Sequence, residues 1–232
     1  SSDLISVFVF DEFQADANAG PDQQLCTPQE STTLAANGVT FPATGFWTLI
    51  EGGATITDID NQNSLLTNIE LGNNVLVWTI ENGPCDNALT TDTVVVSLFA
   101  FDAEEAEAGA DQEFCLPITS TFLDATVLIG AAEGTWEVVT GSGSFANEND
   151  PITEVTGLAV GVNTFSWNVD NGPCGFSVDE VLVRIFDPEA PEAEAGEDQF
   201  FCTPISTAVL EGNTPATPGT GTWTLTQGMG TI

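Results

Sequence analysis

Five cysteines are the residues of this sequence best suited to covalent chemistry, and they recur at two kinds of position. Cys26 and Cys85 are separated by the same distance in sequence as Cys115 and Cys174, and Cys202 begins the pattern again. The sequence has no His and no Cys-x-x-Cys motif, so a structural zinc site lacks ligands. Regularly spaced cysteines in a chain of this kind predict disulfides formed outside the cytosol.

Two disulfide pairings are open from the sequence. Bonds within each repeated segment would join Cys26 to Cys85 and Cys115 to Cys174. A bond between neighbouring segments would join Cys26 to Cys174 and leave the other three cysteines to partners elsewhere. If strands alternate in direction, Cys26 and Cys85 lie at opposite ends of a strand about 26 Å long, whereas disulfide-bonded Cα atoms lie about 4.4–6.8 Å apart. That topology favours Cys26–Cys174.

Carboxylates are the second group that could do chemistry. There are 35 acidic residues against the single basic residue Arg184, giving a net charge of −34. Acidic stretches at 11–16, 102–107 and 187–192 could bind Ca²⁺ through oxygen ligands, although no Asp-x-Asp-x-Asp-Gly loop is present. The alternative is a solvated linker kept extended by self-repulsion. We predict no resident cofactor and keep calcium at these junctions as a hypothesis.

The composition argues against several classes of function. Without His or Lys, the chain has no Ser-His-Asp triad, no Cys-His pair and no Schiff-base lysine, so we predict that it is not an enzyme. Its negative charge disfavours nucleic acid and anionic membrane surfaces. The sequence has no run of about 18 apolar residues, so it predicts no membrane span. The content of 42% hydrophobic residues predicts folded domains instead of a disordered acidic chain.

The cysteines belong to a longer repeat. The motif Ala-x-Ala-Gly-x-Asp-Gln-x-x-Cys occurs at 17–26, 106–115 and 193–202, and a fixed period of this length predicts an array of similar domains. The predicted divisions are the last strand of a preceding repeat at 1–14, full repeats at 15–103 and 104–190, and the start of a third, truncated repeat at 191–232. We expect the sequence to be a window of a longer protein.

Short strands must position the cysteines within each repeat. Alternating apolar residues at Ile5, Val7 and Val9 align with Val94, Val96 and Leu98, as in a half-buried strand. A Gly-x-Trp segment lies in a second strand, and a Leu-Gly-x-Asn segment precedes a third. The Asn-Gly-Pro-Cys sequence that follows is typical of a turn. About seven such strands per repeat predict an antiparallel β-sandwich. Large aromatics favour core packing, and this assignment covers Trp47, Trp78, Trp136, Trp167 and Trp223.

These motifs together resemble PKD-like domains, which are Ig-like modules found in tandem in large secreted surface proteins of Bacteroidota. The resemblance is nearest to the repeats of giant adhesins of the gliding-motility kind exported by type IX secretion. It implies an all-β chain of tandem Ig-like (PKD-like) antiparallel β-sandwich domains in an extended array. It also implies an extracellular location on a bacterial cell surface.

We therefore predict a non-catalytic structural repeat segment of a very large secreted adhesin or filament, acting as a stiff, disulfide-reinforced stalk. The expected partners are neighbouring repeats and, in a filament, identical chains meeting at sheet edges. The alternative is a carbohydrate-binding or accessory module array of a secreted enzyme, with Trp47 or Trp136 exposed as a sugar platform.

Overall fold

The computed structural model describes residues 3–85, 88–101 and 105–232. It divides into two compact units, of which the first comprises Ser1–Glu105, Val127–Gly134 and Val169–Ser177, and the second comprises Ala106–Thr126, Thr135–Asn168 and Val178–Ile232. Within the described residues, no helix is long and apolar enough to span a bilayer. The predicted junction residues Asp102, Ala103 and Glu104 lie outside the described part of the chain.

The first repeat is built from two sheets. Its strands are β1 (Gln23–Cys26), β2 (Ser31–Thr33), β3 (Thr44–Glu51), β4 (Thr55–Ile56), β5 (Leu65–Thr67), β6 (Gly72–Glu81) and β7 (Leu89–Phe99). One sheet has the order β1-β7-β6-β3 and the other the order β2-β5-β4. Buried positions alternate with more exposed ones along much of β6 and β7, so each strand turns one face to the core.

The second repeat has the same strand order. Its strands are β8 (Gln112–Cys115), β9 (Ser120–Asp124), β10 (Glu133–Thr140), β11 (Ser144–Phe145), β12 (Ile152–Thr156), β13 (Gly161–Asp170) and β14 (Phe176–Phe186), with a short 3-10 turn at Gly172–Cys174 between the last two. The sheets have the orders β10-β13-β14-β8 and β11-β12-β9. The chain is therefore all-β, with tandem Ig-like (PKD-like) sandwich domains.

The first strand of each repeat departs from a purely antiparallel arrangement. β1 pairs with β7 in parallel, with Cys26 opposite Phe99. β8 pairs with β14 in parallel, with Cys115 opposite Phe186. The direction follows from tandem connection, because a chain that enters a domain at one end and leaves at the other runs the same way in its first and last strands. The repeated cysteine therefore lies at the end of the domain where the last strand leaves.

Two tryptophans form the centre of each core. Trp47 and Trp78 face each other across β3 and β6, with ring centroids 5.1 Å apart. Trp136 and Trp167 repeat this contact at 5.1 Å. All four side chains are at most 2% exposed. They lie between the two sheets of their own repeat, which is where burial of large aromatic area stabilises a sandwich most.

The predicted core residue Trp223 is placed differently. Its side chain is 44% exposed, and residues 187–232 form no strand. The reason is that this stretch contains no counterpart of the strand that supplies Trp78 or Trp167, so Trp223 has no facing ring. Residues 3–22 likewise form no strand, and Ile5, Val7 and Val9, predicted to lie in one, are exposed. A strand requires a partner for its backbone hydrogen bonds.

Candidate functional site

The main covalent feature of the structure is a disulfide between Cys26 and Cys174. Cys26 ends β1, and Cys174 ends the 3-10 turn that follows β13. Their Cα atoms are 5.5 Å apart, and the two residues are 148 positions apart in sequence. Of the two pairings considered from the sequence, this is the one between repeats. Among the described residues Cys85, Cys115 and Cys202 carry no disulfide.

The disulfide is one part of a packed contact that we call the joint, formed by Cys26, Phe99, Ala100, Asn171, Gly172 and Cys174, all within the first unit. Asn171 donates a hydrogen bond from Nδ2 to the carbonyl oxygen of Ala100 at 2.8 Å. The Phe99 ring is only 5% exposed and lies directly against Gly172. The turn is therefore held by a hydrogen bond, an aromatic contact and a covalent bond.

Gly172 is required at the joint for two reasons. Its φ is +53°, a conformation that costs other residues about 1–2 kcal/mol. A Cβ placed on it would also lie 2.6 Å from the nearest Phe99 ring carbon, well inside van der Waals contact. The Asn-Gly-Pro-Cys sequence thus has a packing role in addition to the turn chemistry that its residue types indicate.

The same docking occurs one repeat earlier. Asn82 donates from Nδ2 to the carbonyl oxygen of Asp11 at 2.7 Å. Gly83 has φ of +60°, and its missing Cβ would lie 2.6 Å from the ring of Phe10. Phe10 and Asp11 correspond to Phe99 and Ala100 in the alignment of the repeats. The contact is therefore a property of the repeat and does not depend on the disulfide alone.

Replacing Gly172 with Ala is expected to lower the free energy of unfolding by more than the cost of the left-handed backbone conformation alone. Gly157 is the matched control, because its φ is +73° and no atom lies within 4 Å of the position of its Cβ. Both Ala variants should lose about 1–2 kcal/mol from the left-handed backbone. Gly172→Ala should lose about 1–3 kcal/mol more from overpacking against Phe99. Guanidinium unfolding of both variants measures the difference, and equal losses would contradict the proposed contact.

The opening motif of each repeat ties the first strand to the last. Asp92 accepts a hydrogen bond at Oδ2 from the backbone N–H of Ala19 at 2.8 Å. Asp22 accepts one at Oδ1 from the N–H of Val95 at 2.8 Å. In the second repeat, Asp179 and Asp111 make the matching bonds to Ala108 and Leu182. The motif therefore positions the strand whose last residue is the cysteine of the joint.

A buried asparagine explains the Leu-Gly-x-Asn segment. Asn74 and Asn163 are both 0% exposed. Asn163 donates from Nδ2 to the carbonyl oxygens of Ala159 and Val183 at 2.9 and 3.2 Å, and its Oδ1 accepts from the N–H of Ser142 at 3.0 Å. The sequence alone did not assign this role, although an Asn at the start of an apolar strand in both repeats was a visible signal.

Acidic residues do not gather into a metal site in the part of the chain that the structure describes. No group of three or more Asp, Glu or Cys side chains there is placed to hold an ion. Arg184 lies 3.3 Å from Asp111 and 3.4 Å from Glu113, and such exposed pairs contribute little to stability. Trp47 and Trp136, the sugar platform of the carbohydrate-binding alternative, are each only 2% exposed.

Comparison with known proteins gives distant likenesses. No protein-family model matches the chain. The mouse dyslexia-associated protein KIAA0319-like protein is 28% identical over 211 residues, covering 85% of this chain and 20% of that protein. The human dyslexia-associated protein KIAA0319 is 26% identical over 211 residues, again covering 85% of this chain and 20% of that protein. The chain thus spans about a fifth of the length of the curated relatives it matches.

Solved structures with similar folds include single and paired domains. The PKD domain from KIAA 1837 protein is 29% identical and covers 38% of this chain and 91% of its own, with a TM-score of 0.32. Dpr2 Ig1-Ig2, solved in complex with DIP-Theta Ig1-Ig3, is 9% identical and covers 78% of this chain and 70% of its own, with a TM-score of 0.45. The all-β sandwich repeats and the disulfide fit Ig-like (PKD-like) domains of an extracellular protein.

Proposed function

We propose that this chain is a non-catalytic, force-bearing segment of a very large secreted adhesin or filament on a bacterial cell surface. The proposal places it with the gliding-motility adhesins of Bacteroidota that use type IX secretion, on the strength of the repeat motifs. Its partners are neighbouring repeats of the same chain and identical chains in a filament. The single observation that carries the mechanical role is the Cys26–Cys174 bond.

The disulfide changes the covalent path that tension follows. A pull on the two ends of the chain passes from Cys26 through the disulfide to Cys174, so the residues between them carry no covalent tension. Those residues include β2 to β13, which form most of both domains. Because an extended residue spans about 3.3–3.6 Å, the bypassed loop would otherwise lengthen the chain by about 500 Å on unfolding.

The strand pairing next to the disulfide also resists tension. β1 and β7 run in parallel over the registers Gln23–Val96 to Cys26–Phe99. Once the disulfide is reduced, tension reaches the start of β1 and the end of β7. It then slides the strands past each other and loads these hydrogen bonds together, whereas an antiparallel pair pulled from one end opens bond by bond. The disulfide therefore limits extension of the oxidised chain, and the parallel pair limits extension of the reduced chain.

Single-molecule pulling on the two ends of the chain tests this function. The oxidised chain is expected to release no length from residues 27–173. After reduction with dithiothreitol, or in the Cys26→Ser/Cys174→Ser variant, unfolding should release about 500 Å more. A Cys202→Ser variant controls for loss of a cysteine outside the bond. If the oxidised and reduced chains release the same length, the disulfide does not limit extension and the proposal fails.

The location is tested separately. An antibody raised against the folded repeats should label intact cells of the source bacterium without permeabilisation. Labelling confined to permeabilised cells would contradict a role at the cell surface, whatever the pulling measurement gives.

A further inference from the structure

The joint has two halves: the turn that ends at Cys174, and the strand ends at Cys26 and Phe99 against which it packs. The end of the second repeat reproduces the second of these halves. In the first repeat this half consists of Cys26 opposite Phe99 in the parallel β1–β7 pair, with the N–H of Thr27 bonded to the carbonyl oxygen of Phe99 at 3.0 Å. In the second, Cys115 lies opposite Phe186, and the N–H of Leu116 bonds to the carbonyl oxygen of Phe186 at 3.0 Å.

The turn that follows each cysteine is also the same. The N–H of Gln29 bonds back to the carbonyl oxygen of Cys26 at 3.0 Å, and the N–H of Ile118 bonds back to that of Cys115 at 3.1 Å. The two cysteines therefore have matching backbone surroundings. The strand end at Cys115 therefore matches the strand end at Cys26 to which the Asn-Gly-Pro-Cys turn docks.

The two positions differ in what covers them. Phe99 is buried by the Gly172 turn, and Cys26 is bonded to Cys174. Phe186 is only half-buried, and Cys115 is exposed and carries no disulfide in the described structure. The buried and the half-buried phenylalanine occupy equivalent places, so the second position has room for a group that the first already holds.

A cavity adjoins the second position. It has a volume of about 650 Å³, and its lining includes Phe186, Asp187, Gly221 and Trp223. In the first repeat, the residues equivalent to Gly221 and Trp223 pack against Trp78 of β6, and β6 leads into the Asn-Gly-Pro-Cys turn. The cavity thus lies where a third repeat would place its tryptophan strand and the turn that follows it.

We propose that Cys115, Phe186 and the backbone carbonyl of Asp187 form a docking seat for the Asn-Gly-Pro-Cys turn of the next repeat along the same polypeptide. The turn asparagine donates to the Asp187 carbonyl oxygen, its glycine lies under the Phe186 ring, and its cysteine forms a disulfide with Cys115. This inference rests on the proposed function and deepens it by naming what the exposed cysteine binds. The occupant is argued from Cys202 and Trp223, which show the third repeat already under way.

The bond requires an oxidant. Two thiols lose two protons and two electrons as the sulfur–sulfur bond forms. A disulfide in a second protein accepts these protons and electrons by thiol–disulfide exchange and is reduced to a dithiol. Attack by the turn thiolate on a mixed disulfide at Cys115 completes the exchange. Exposure of Cys115 allows that mixed disulfide to form before the turn docks.

The consequence for a long array is a covalent path that skips domains. Cys202 occupies the next first-strand position after Cys115, and only the short stretch 175–201 separates it from Cys174. Without disulfides, tension between Cys26 and Cys202 would extend the whole of 27–201. With a bond at every joint, the path between these cysteines keeps only 175–201, so the maximum covalent length falls several-fold. A second path of the same kind starts at Cys85 and reaches Cys115 through the similarly short stretch 86–114.

A non-reducing peptide map of the native parent protein tests the seat. Free thiols are alkylated, the protein is cleaved after Glu and Asp, and linked peptides are identified by mass spectrometry. We expect Cys115 to be linked to an Asn-Gly-Pro-Cys peptide other than 82–85 or 171–174, with Cys26–Cys174 as the internal positive control. Alkylated Cys115, or Cys115 linked to Cys85 or Cys202, would overturn the inference. A short pulling length with Cys26–Cys174 intact would then still support the proposed function.

Variants in the parent protein test the contribution of the aromatic contact. Phe186→Ala should increase the fraction of alkylated Cys115 at least several-fold. Phe176→Ala is the matched control, because Phe176 lies on the same strand, β14, and is 65% exposed. If the two variants give the same alkylated fraction, the Phe186 ring does not form part of the seat.

Discussion

Replacing both Cys26 and Cys174 with serine is expected to lower the free energy of unfolding by about 5 kcal/mol. The disulfide closes a loop across 148 positions, and the entropy that a cross-link removes from the unfolded chain grows with the length of its loop. Because this loop is long, the expected loss lies at the upper end of the usual range for a disulfide. Guanidinium unfolding of the oxidised chain and of the double variant measures it.

The control for this prediction is Cys202→Ser, which removes an exposed cysteine that forms no disulfide in the described structure. Its unfolding midpoint should match that of the unchanged chain, since surface substitutions usually change stability by less than about 0.5 kcal/mol. Mass spectrometry must first show that the reference chain is oxidised. An oxidised chain that unfolds at the same guanidinium concentration as the double variant would contradict loop closure as the source of stability.

Truncating Trp136 to alanine is expected to cost about 3–5 kcal/mol, the usual range for a buried Trp. The side chain is 2% exposed, stacks on Phe145 at 6.3 Å and contacts Trp167 at 5.1 Å, so its removal leaves a large cavity between the sheets. The matched control is Trp223→Ala, because Trp223 occupies the equivalent sequence position but is 44% exposed. Its loss should be under about 1 kcal/mol. Thermal and guanidinium unfolding distinguish the two.

Phenylalanine substitutions separate packing from hydrogen bonding in the same core. Trp136 donates from Nε1 to the carbonyl oxygen of Asp150 at 3.1 Å, whereas the buried Nε1 of Trp167 has no hydrogen-bond partner among the described residues. Trp136→Phe leaves the Asp150 carbonyl without that donor, and Trp167→Phe removes an unpaired N–H, so Trp136→Phe should cost more by about 1–3 kcal/mol. Equal losses of unfolding free energy in the two variants would show that the hydrogen bond to Asp150 does not contribute to stability.

Local patterns were sufficient to predict much of the fold. Alternating apolar residues on β6 and β13, the Gly-x-Trp segments and the turn residues depend on neighbours in sequence. The side-chain period alone therefore predicts strands through 76–80 and 165–169. The burial of Trp78 and Trp167 follows from the same pattern, whereas burial of Trp47 and Trp136 was favoured over an exposed sugar platform only because large aromatics usually pack in cores. Trp223 shows the limit of that reasoning, because a strand residue is buried only when a second strand covers it.

Contacts distant in sequence were not predictable in the same way. Ala19 bonded to Asp92, Asn163 bonded to Val183, and Gly172 pressed against Phe99 each depend on which strands become neighbours. A sequence pattern contains no information about the distance between two such residues. For this reason the Asn-Gly-Pro-Cys segment was predicted as a turn, and its role as the inserted half of a joint became visible only in three dimensions.

The cysteines show most clearly what the sequence determines and what only the tertiary structure decides. The sequence by itself determined that they recur with each domain, that zinc is a poor explanation, and that a covalent framework outside the cytosol is the expected chemistry. It left Cys85 and Cys174 as alternative partners of Cys26 and favoured Cys174 only through an assumed alternation of strand direction, because pairing requires Cα atoms to come within about 7 Å. The tertiary structure decided the partner: parallel pairing of β1 with β7 carries Cys26 to the end of its domain, beside Phe99, where the turn ending at Cys174 docks.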